Sequence, residues 1–310
     1  MGCRKHARRA DKLAGVINTA MDALIGLGVP KYSSLKSKHT YSDHAEISLL
    51  ILRQYLGVSY ARLCDNLYSL KSVMRASGIG RIPHPSTLRK FANRVHNNIL
   101  NDVLRVMSLM VNGNGMTVAV DATGFSCSNA SRHFVKRLKE MGSYVSNVRD
   151  YVKTTLAVDT ETLMVLACKT SISNVHDVKH IPEILDKLAH DKFDVKHVLA
   201  DRGYDSENVH ESIRARLGAD TVIPTRNNTE MTKHGIRKSP HGRYRKQMSR
   251  SFPAEIYRRR CLVETVNSMI KRNMGDTVYG HNDNSRNVEV LCRCIAHNIM
   301  RMSVLDHGVK

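Results

Sequence analysis

The chain has 310 residues, of which 42% are hydrophobic, so it is long enough to bury one large core, or one large and one small core. This composition excludes a chain that is disordered throughout. The 48 Lys and Arg residues outnumber 28 Asp and Glu residues, and the formal net charge of +20 indicates a polyanionic partner such as nucleic acid. A merely soluble basic protein is the alternative, which the clustering of the basic residues weakens.

Neither the cysteines nor the apolar runs indicate a secreted or membrane protein. The seven cysteines are scattered and contain no Cys-x-x-Cys pair, so neither a disulfide framework nor a zinc ribbon is expected. The basic start lacks the apolar core of a signal peptide, and no apolar run approaches the ~18 residues that a membrane span needs. We therefore expect reduced thiols, no membrane partner and a cytoplasmic protein.

Residues 41–110 predict a small all-α module. Apolar residues recur at three- and four-residue spacing in three segments, and Ser86 is the predicted N-cap of the third. A turn rich in Gly and Pro, residues 77–85, precedes that segment and is compatible with a helix-turn-helix or with a plain helical bundle. We assign residues 1–112 to a helical N-terminal DNA-binding module.

After a Gly and Asn break at residues 112–115, the pattern changes to short β-rich runs. Three of them follow one another, with a tight hairpin predicted at Glu161 and Thr162, and helices then alternate with strands. An amphipathic helix at 287–305 completes the core. This order predicts an α/β domain over residues 113–310, a mixed sheet flanked by helices.

Residues 227–250 form a basic insertion within that domain. They have no apolar periodicity, and their seven Lys and Arg residues against Glu230 alone predict a loop with a charge of +6. A solvated insertion is the plain interpretation, and such a loop can also bind a polyanion by displacing its counterions. We expect Arg243, Arg245 and Lys246 to contact DNA phosphates.

Two aspartates follow apolar strands. Asp121 is predicted to end the strand of residues 117–120, and Asp201 to end that of residues 198–200. Carboxylates at the carboxyl ends of neighbouring strands meet at the usual site crevice of an α/β sheet. Either residue alone is an ordinary turn former, but two buried side by side would cost several kcal/mol without a neutralising cation.

A third carboxylate lies on a predicted helix after Phe252. At ~100° per residue, Tyr257, Arg260, Glu264 and Lys271 fall on one polar stripe, opposite an apolar face that can pack on a core. An ordinary solvated face with an Arg260–Glu264 ion pair is the alternative. Together, Asp121, Asp201 and Glu264 supply the hard oxygen ligands that suit two Mg²⁺ or Mn²⁺ ions, which can catalyse displacement at phosphorus.

The spacing Tyr257, two residues, Arg260, three residues, Glu264, six residues, Lys271 resembles the Tyr-Arg-Glu-Lys signature of DDE transposases from bacterial and archaeal insertion sequences. The segments VAVDATGF and LADRGYDS resemble those that carry the two aspartates of that family. The resemblance implies an RNase H-like fold, with Asp121, Asp201 and Glu264 as catalytic metal ligands. It also implies that Tyr257, Arg260 and Lys271 contact or position DNA.

The resemblance further implies the partners of a prokaryotic transposase. They are terminal inverted repeats, target DNA and a second protomer, in a homodimer formed on DNA. Residues 174–177 resemble a recurrent family segment that supports the site. Since the chain has no Trp, Tyr204 or Tyr257 is the candidate for stacking on a base.

Two alternatives stay open at this point. A non-catalytic DNA-binding protein derived from a transposase would show the same basic charge and helical module. A metal-dependent nuclease would use the same carboxylates without strand transfer.

Overall fold

The computed structural model describes residues 2–34, 36, 38–110, 113–127, 140–141, 151–171, 175–190, 193–226 and 239–308. By internal contacts the chain divides into two compact units. The first contains residues 1–107, 125–152 and 270–310, and the second contains residues 108–124 and 153–269. This division reflects only the contacts within each unit. The functional boundary between residues 112 and 113 therefore stays a prediction.

The first unit is helical. Its helices before the sheet are α1 Gly2–Gly26, α2 Asp43–Leu56, α3 Tyr60–Leu67, α4 Lys71–Ala76, α5 Pro85–Arg94 and α6 Asn97–Leu109, whose last two residues belong to the second unit. The C-terminal helix α12, Asp283–Gly308, packs against α1, α2 and α5.

Local signals explain where these helices begin and end. The Ser42 side chain accepts the Ala45 N–H at the start of α2, and Gly57 ends that helix in the left-handed region with φ 61°. His84, rather than the predicted Ser86, is the N-cap of α5, where Pro85 occupies the first helical position. The predicted single third helix is wrong, because the extended backbone of Val95 (ψ 136°) separates α5 from α6.

A buried arginine anchors α12 within the first unit. Arg293 is 1% exposed and donates to the Gly275 carbonyl at 2.9 Å, the Thr277 carbonyl at 2.6 Å and the Glu289 carboxylate at 3.0 Å. These bonds satisfy a charge that would otherwise be costly to bury. They also fix the chain just before strand β6, Thr277–Val278.

The sheet confirms the predicted α/β class. Strands β1 Met116–Cys127, β2 Tyr151–Asp159, β3 Val165–Ser171, β4 Val195–Ala200 and β5 Asp220–Val222 lie in the order β3-β2-β1-β4-β5. The pairs β1–β4 and β4–β5 are parallel, and β2–β3 is antiparallel. Strand β6 pairs with the end of β1 at Ser126 and Cys127. The predicted mixed sheet is therefore present.

Helices α7 Ile181–His190 and α8 Glu207–Leu217 cover this sheet in the second unit. Val118, Val198, Ile184 and Ile213 belong to one buried apolar cluster, which joins the central strands to both helices. Burial of such side chains is the main force that holds the layers together. A 3₁₀ turn, Asp177–His180, leads into α7.

The end of the second unit differs from the predicted loop and helix. Residues 243–250 form helix α9, Arg243–Arg250, so the part of the basic insertion that the structure describes is not a loop throughout. Residues 227–238 lie outside the described residues. The predicted final helix of this unit is divided into α10 Ala254–Tyr257, a 3₁₀ turn Arg258–Arg260 and α11 Cys261–Met274.

Candidate active site

The register of the two central strands brings Asp121 and Asp201 to the same edge. β1 and β4 run parallel, and their last register pair is Val120 with Ala200. Asp121 is the next residue of β1, and Asp201 is the first residue after β4. β1 continues to Cys127, so the prediction that Asp121 ends its strand is wrong, although it directly follows the last residue paired with β4.

The Asp201 side chain shapes the turn that follows β4. It caps a 3₁₀ turn, Arg202–Tyr204, by accepting the Gly203 N–H at 2.8 Å. A Cβ added at Gly203 would lie 2.8 Å from the same carboxylate oxygen, so a larger residue would displace the Asp201 side chain. The small residue at 203 therefore helps to set the position of this carboxylate.

Arg260 joins Asp121 to Glu264. Its Nη1 donates to Glu264 Oε1 at 2.6 Å, and its Nη2 lies 3.5 Å from Asp121 Oδ1. Glu264 lies in the first turn of α11, one helical turn after Arg260, and its side chain is 55% exposed. The ion pair of the alternative interpretation is present, and its guanidinium also reaches the strand aspartate.

The charges of Asp201 and Glu264 both act on Asp121. The pKa of Asp121 is raised, chiefly by burial, and the negative charges of Asp201 and Glu264 raise it further. The Arg260 charge and the Ala122 N–H oppose this shift. Because the charges of the other two carboxylates raise the pKa of Asp121, the surroundings of this residue favour a cation.

The donor set suits a divalent cation in its chemistry, because carboxylate oxygens are the ligands that Mg²⁺ and Mn²⁺ prefer. Within the described residues, no three His, Cys, Asp or Glu side chains are grouped closely enough to hold a metal ion. The cation between Asp121 and Glu264 is instead the Arg260 guanidinium.

Tyr257 lies near these charges. Its ring meets Phe252 edge-on, with 5.1 Å between centroids. Burial raises the pKa of its hydroxyl, and the charges of Asp201 and Glu264 raise it further against the opposing Arg260 and Arg202. Tyr204 is 1% exposed, so the suggestion that its ring stacks on a base is wrong.

The remaining predicted residues differ in their environment. The Lys271 ammonium lies 5.5 Å from the centroid of the Phe125 ring. Arg243 and Lys246 are exposed on α9. Arg245, by contrast, is half-buried and forms an ion pair with Asp205 at 2.8 Å, a partner that the sequence patterns did not identify.

The segment resembling the family's 174–177 motif is described from Val175 onward, and Asn174 lies outside the described residues. The Val175 carbonyl accepts a bond from the Lys153 ammonium at 2.6 Å, and the Asp177 carboxylate forms an ion pair with the same ammonium. Asp177 also raises the pKa of the Tyr204 hydroxyl, after burial as the main cause. Asp177 thus pairs with Lys153, and its charge acts on Tyr204 in the turn that follows Asp201.

A cavity of about 420 Å³ lies in the first unit, and none of the predicted site residues lines it. Arg53, Tyr60, Arg89, Tyr279, Glu289 and Arg293 are among its lining residues.

No helix in the described part of the chain is both long and apolar enough to cross a membrane.

Two aspartates that follow neighbouring parallel strands, beside a helical glutamate, are the arrangement in which the acidic residues of this domain lie. A family model described as transposase DDE domain matches residues 113–299. The chain belongs to this family, whose members cleave DNA and transfer strands with divalent metal ions. It is a DNA transposase, as the resemblance implied.

Comparison with solved structures gives a similar chain in the cryo-EM structure of a piggyBac transposase synaptic complex with hairpin DNA. The identity is 11%, the TM-score is 0.47, and the match covers 94% of this chain and 72% of the other. A search of curated protein sequences found no match.

Proposed function

We propose that this chain is the transposase of an insertion sequence, which binds terminal inverted repeats, cleaves their ends and joins them to target DNA. The observation that supports this proposal is the placement of Asp121 and Asp201 directly after one register pair of parallel strands, with Glu264 bridged to Asp121 by Arg260. Residues 113–310 act as the catalytic domain, and residues 1–112 contribute to DNA binding.

Asp121, Asp201 and Glu264 would hold two Mg²⁺ or Mn²⁺ ions. Such ions activate an attacking water or 3′ hydroxyl and stabilise the leaving oxygen. Arg260 neutralises Asp121 and Glu264 before ion binding, and it then becomes available to a DNA phosphate. The Tyr257 hydroxyl would hold the DNA strand that lies over the acidic residues, and the Lys271 ammonium would also contact DNA.

The exposed basic residues of α9, Arg243 and Lys246, would contact the DNA backbone beside the site. Such contacts position the duplex without reading its sequence. Because transposition joins two ends, the active species on DNA is a homodimer. The resemblance to insertion-sequence transposases implies a cytoplasmic, nucleoid-associated protein of a prokaryote, and the net charge of +20 supports binding to nucleic acid.

The test uses DNA that carries the inverted repeats bracketing the coding sequence, incubated with Mg²⁺ and a supercoiled target plasmid. The wild type should nick the repeat ends and join them to the plasmid. Glu264→Gln should bind the same DNA without cutting it. Nicking without joining would identify a nuclease, and binding without Mg²⁺-dependent nicking would identify a DNA-binding protein that has lost catalysis.

A further inference from the structure

Asp205 is a buried carboxylate four residues after Asp201, and its side chain is 0% exposed. Arg245 binds both of its oxygens, from Nε at 2.9 Å and from Nη2 at 2.8 Å. The Arg226 backbone N–H also donates to Oδ2 at 2.8 Å, and His210 Nε2 lies 3.8 Å from Oδ1. Burial opposes ionisation, but these donors outweigh it and hold the pKa of Asp205 well below its usual range.

A second acidic residue of the same segment holds the start of α9. The Glu207 carboxylate accepts the Tyr244 N–H at 2.9 Å and the Arg245 N–H at 3.1 Å. These are N–H groups that a helix leaves without intrahelical partners. Gly242 precedes the helix with φ 96°, and a Cβ there would collide with the Glu207 carboxylate. The geometry at the helix start is therefore specific to glycine.

Arg226, which precedes the undescribed part of the insertion, is tied to the turn after Asp201. Its guanidinium donates to the Arg202 carbonyl at 3.2 Å and to the Gly203 carbonyl at 2.7 Å. Gly203 is the residue whose N–H donates to Asp201. Arg226, just before the insertion, and Arg245, within it, are thus both bonded to residues 202–207.

These contacts leave the outer face of α9 basic. Met248 packs inward, whereas the side chains of Arg243, Lys246 and Arg250 are exposed. The two-point Asp205–Arg245 pair fixes the position and rotation of the helix, because a planar guanidinium bound at both oxygens has a defined orientation. Arg245 is therefore occupied inside the protein while its three neighbours face outward.

We propose that Asp205 is a positioning residue, which locks α9 to the Asp201 segment through Arg245. This pair, which we call the Asp205–Arg245 lock, presents Arg243, Lys246 and Arg250 as one contact surface for the DNA backbone beside the catalytic carboxylates. The inference rests on the proposed function, since it takes DNA as the partner of this surface. It assigns Arg245 a role inside the protein, in place of the direct phosphate contact predicted from the sequence.

The experiment compares three variants of the full chain: Asp205→Asn, Arg245→Gln and, as a matched control on the same helix, Arg243→Gln. The first measurement is hydrogen exchange of the α9 amides in the absence of DNA. Protection of residues 243–250 should fall in Asp205→Asn and Arg245→Gln and stay unchanged in Arg243→Gln. Unchanged protection in Arg245→Gln would overturn the lock.

The second measurement is the salt dependence of DNA affinity, which a purely stabilising role of Arg245 would leave unchanged. The logarithm of the association constant falls linearly with the logarithm of the salt concentration, and loss of one direct phosphate contact makes this slope less steep by about 0.9. We expect that change for Arg243→Gln. Arg245→Gln should make the slope less steep by about 2 or more, because Arg243, Lys246 and Arg250 lose their alignment together. A decrease of about 0.9 for Arg245→Gln, with normal exchange, would instead identify Arg245 as a direct contact.

Asp205→Asn gives a test of opposite sign. It removes a negative charge, so electrostatics alone would strengthen DNA binding, whereas loss of the lock weakens it. Tighter binding by this variant would contradict the proposal. If Asp205→Asn does not fold, Arg245→Lys replaces it, and this conservative variant should recover part of the affinity and protection lost in Arg245→Gln.

The two readouts separate this inference from the proposed function. Exchange of the α9 amides is measured without DNA or metal, so it reports the lock alone. Suppose that the three variants show the expected changes in exchange but the wild type cleaves no repeat DNA. The lock would then be supported, and the proposed transposition of an insertion sequence would be refuted.

Discussion

Asp121 and Asp201 directly follow the last register pair of two parallel strands, Val120 with Ala200. Neighbouring parallel strands lie about 4.8 Å apart, so the two residues that follow one register pair lie close to each other. Two carboxylates held so close repel each other, and the raised pKa of Asp121 includes this repulsion. The backbone pairing maintains an arrangement that the charges alone would oppose.

Replacing either strand aspartate by Asn should abolish cleavage and leave DNA affinity near that of the wild type. Each carboxylate is a proposed ion ligand, whereas the phosphate contacts lie on other side chains. Nicking of repeat DNA and fluorescence anisotropy measure the two properties. Asp220→Asn, at an exposed residue paired with Arg214, is the control and should cleave normally. Equal loss of affinity and cleavage would argue against the metal-ligand assignment.

Arg260→Gln should bind Mn²⁺ more tightly than the wild type in the absence of DNA. The guanidinium now neutralises Asp121 and Glu264, and an ion must displace it. A partly exposed pair contributes up to about 1 kcal/mol, which corresponds to an affinity gain of about fivefold at most. Electron paramagnetic resonance of free Mn²⁺ gives the affinity.

The control for this measurement is Arg258→Gln, in the same 3₁₀ turn, where the arginine pairs with the exposed Glu255. Its Mn²⁺ affinity should equal that of the wild type. Weaker Mn²⁺ binding by Arg260→Gln would mean that Arg260 supports the ion rather than competing with it.

Tyr257→Phe should slow cleavage without changing the melting temperature. The ring contact with Phe252 is kept, and only the hydroxyl is removed. A hydrogen bond to DNA contributes about 1 to 1.5 kcal/mol, so the rate should fall by about tenfold. Tyr257→Ala, the comparison, should also lower the melting temperature. Cleavage at the wild-type rate by Tyr257→Phe would exclude a role for the hydroxyl.

Glu46 makes the stability of the first unit depend on pH. Burial raises its pKa to about 7, and Arg94, at 3.4 Å, offsets this only in part. The folded state holds the proton more tightly than the unfolded state, so stability should fall as pH rises from about 4.5 to about 7. Above that range the penalty is complete.

Glu46→Gln should therefore stabilise the protein at pH 8, by an amount on the order of 1 to 3 kcal/mol. It should also flatten the dependence of stability on pH below neutrality, as followed by urea unfolding. Glu255→Gln, at an exposed glutamate, serves as the control and should change neither. A destabilised Glu46→Gln at pH 8 would mean that the ion pair with Arg94 outweighs the cost of burial.

Much of the fold could be predicted from local patterns. The three-strand meander, the hairpin at Glu161 and the alternation of helix and strand are present as expected. Alternation and helical periodicity are properties of neighbouring residues, so they can be read along the chain. The helix α1 was missed, although Leu13, Val16, Ile17, Ala20 and Leu24 carry the spacing of a buried helical face and are buried.

The sequence by itself determined the class of the domain, the three acidic positions and the Arg260–Glu264 pair, which needs only one turn of helix. Tertiary structure decided the register that puts Asp121 in step with Asp201, and the partner of Arg245. Asp205 lies 40 residues before Arg245, and no local pattern distinguishes an arginine that binds a buried carboxylate from one that faces solvent. That choice depends on burial, which arises only when distant segments pack together.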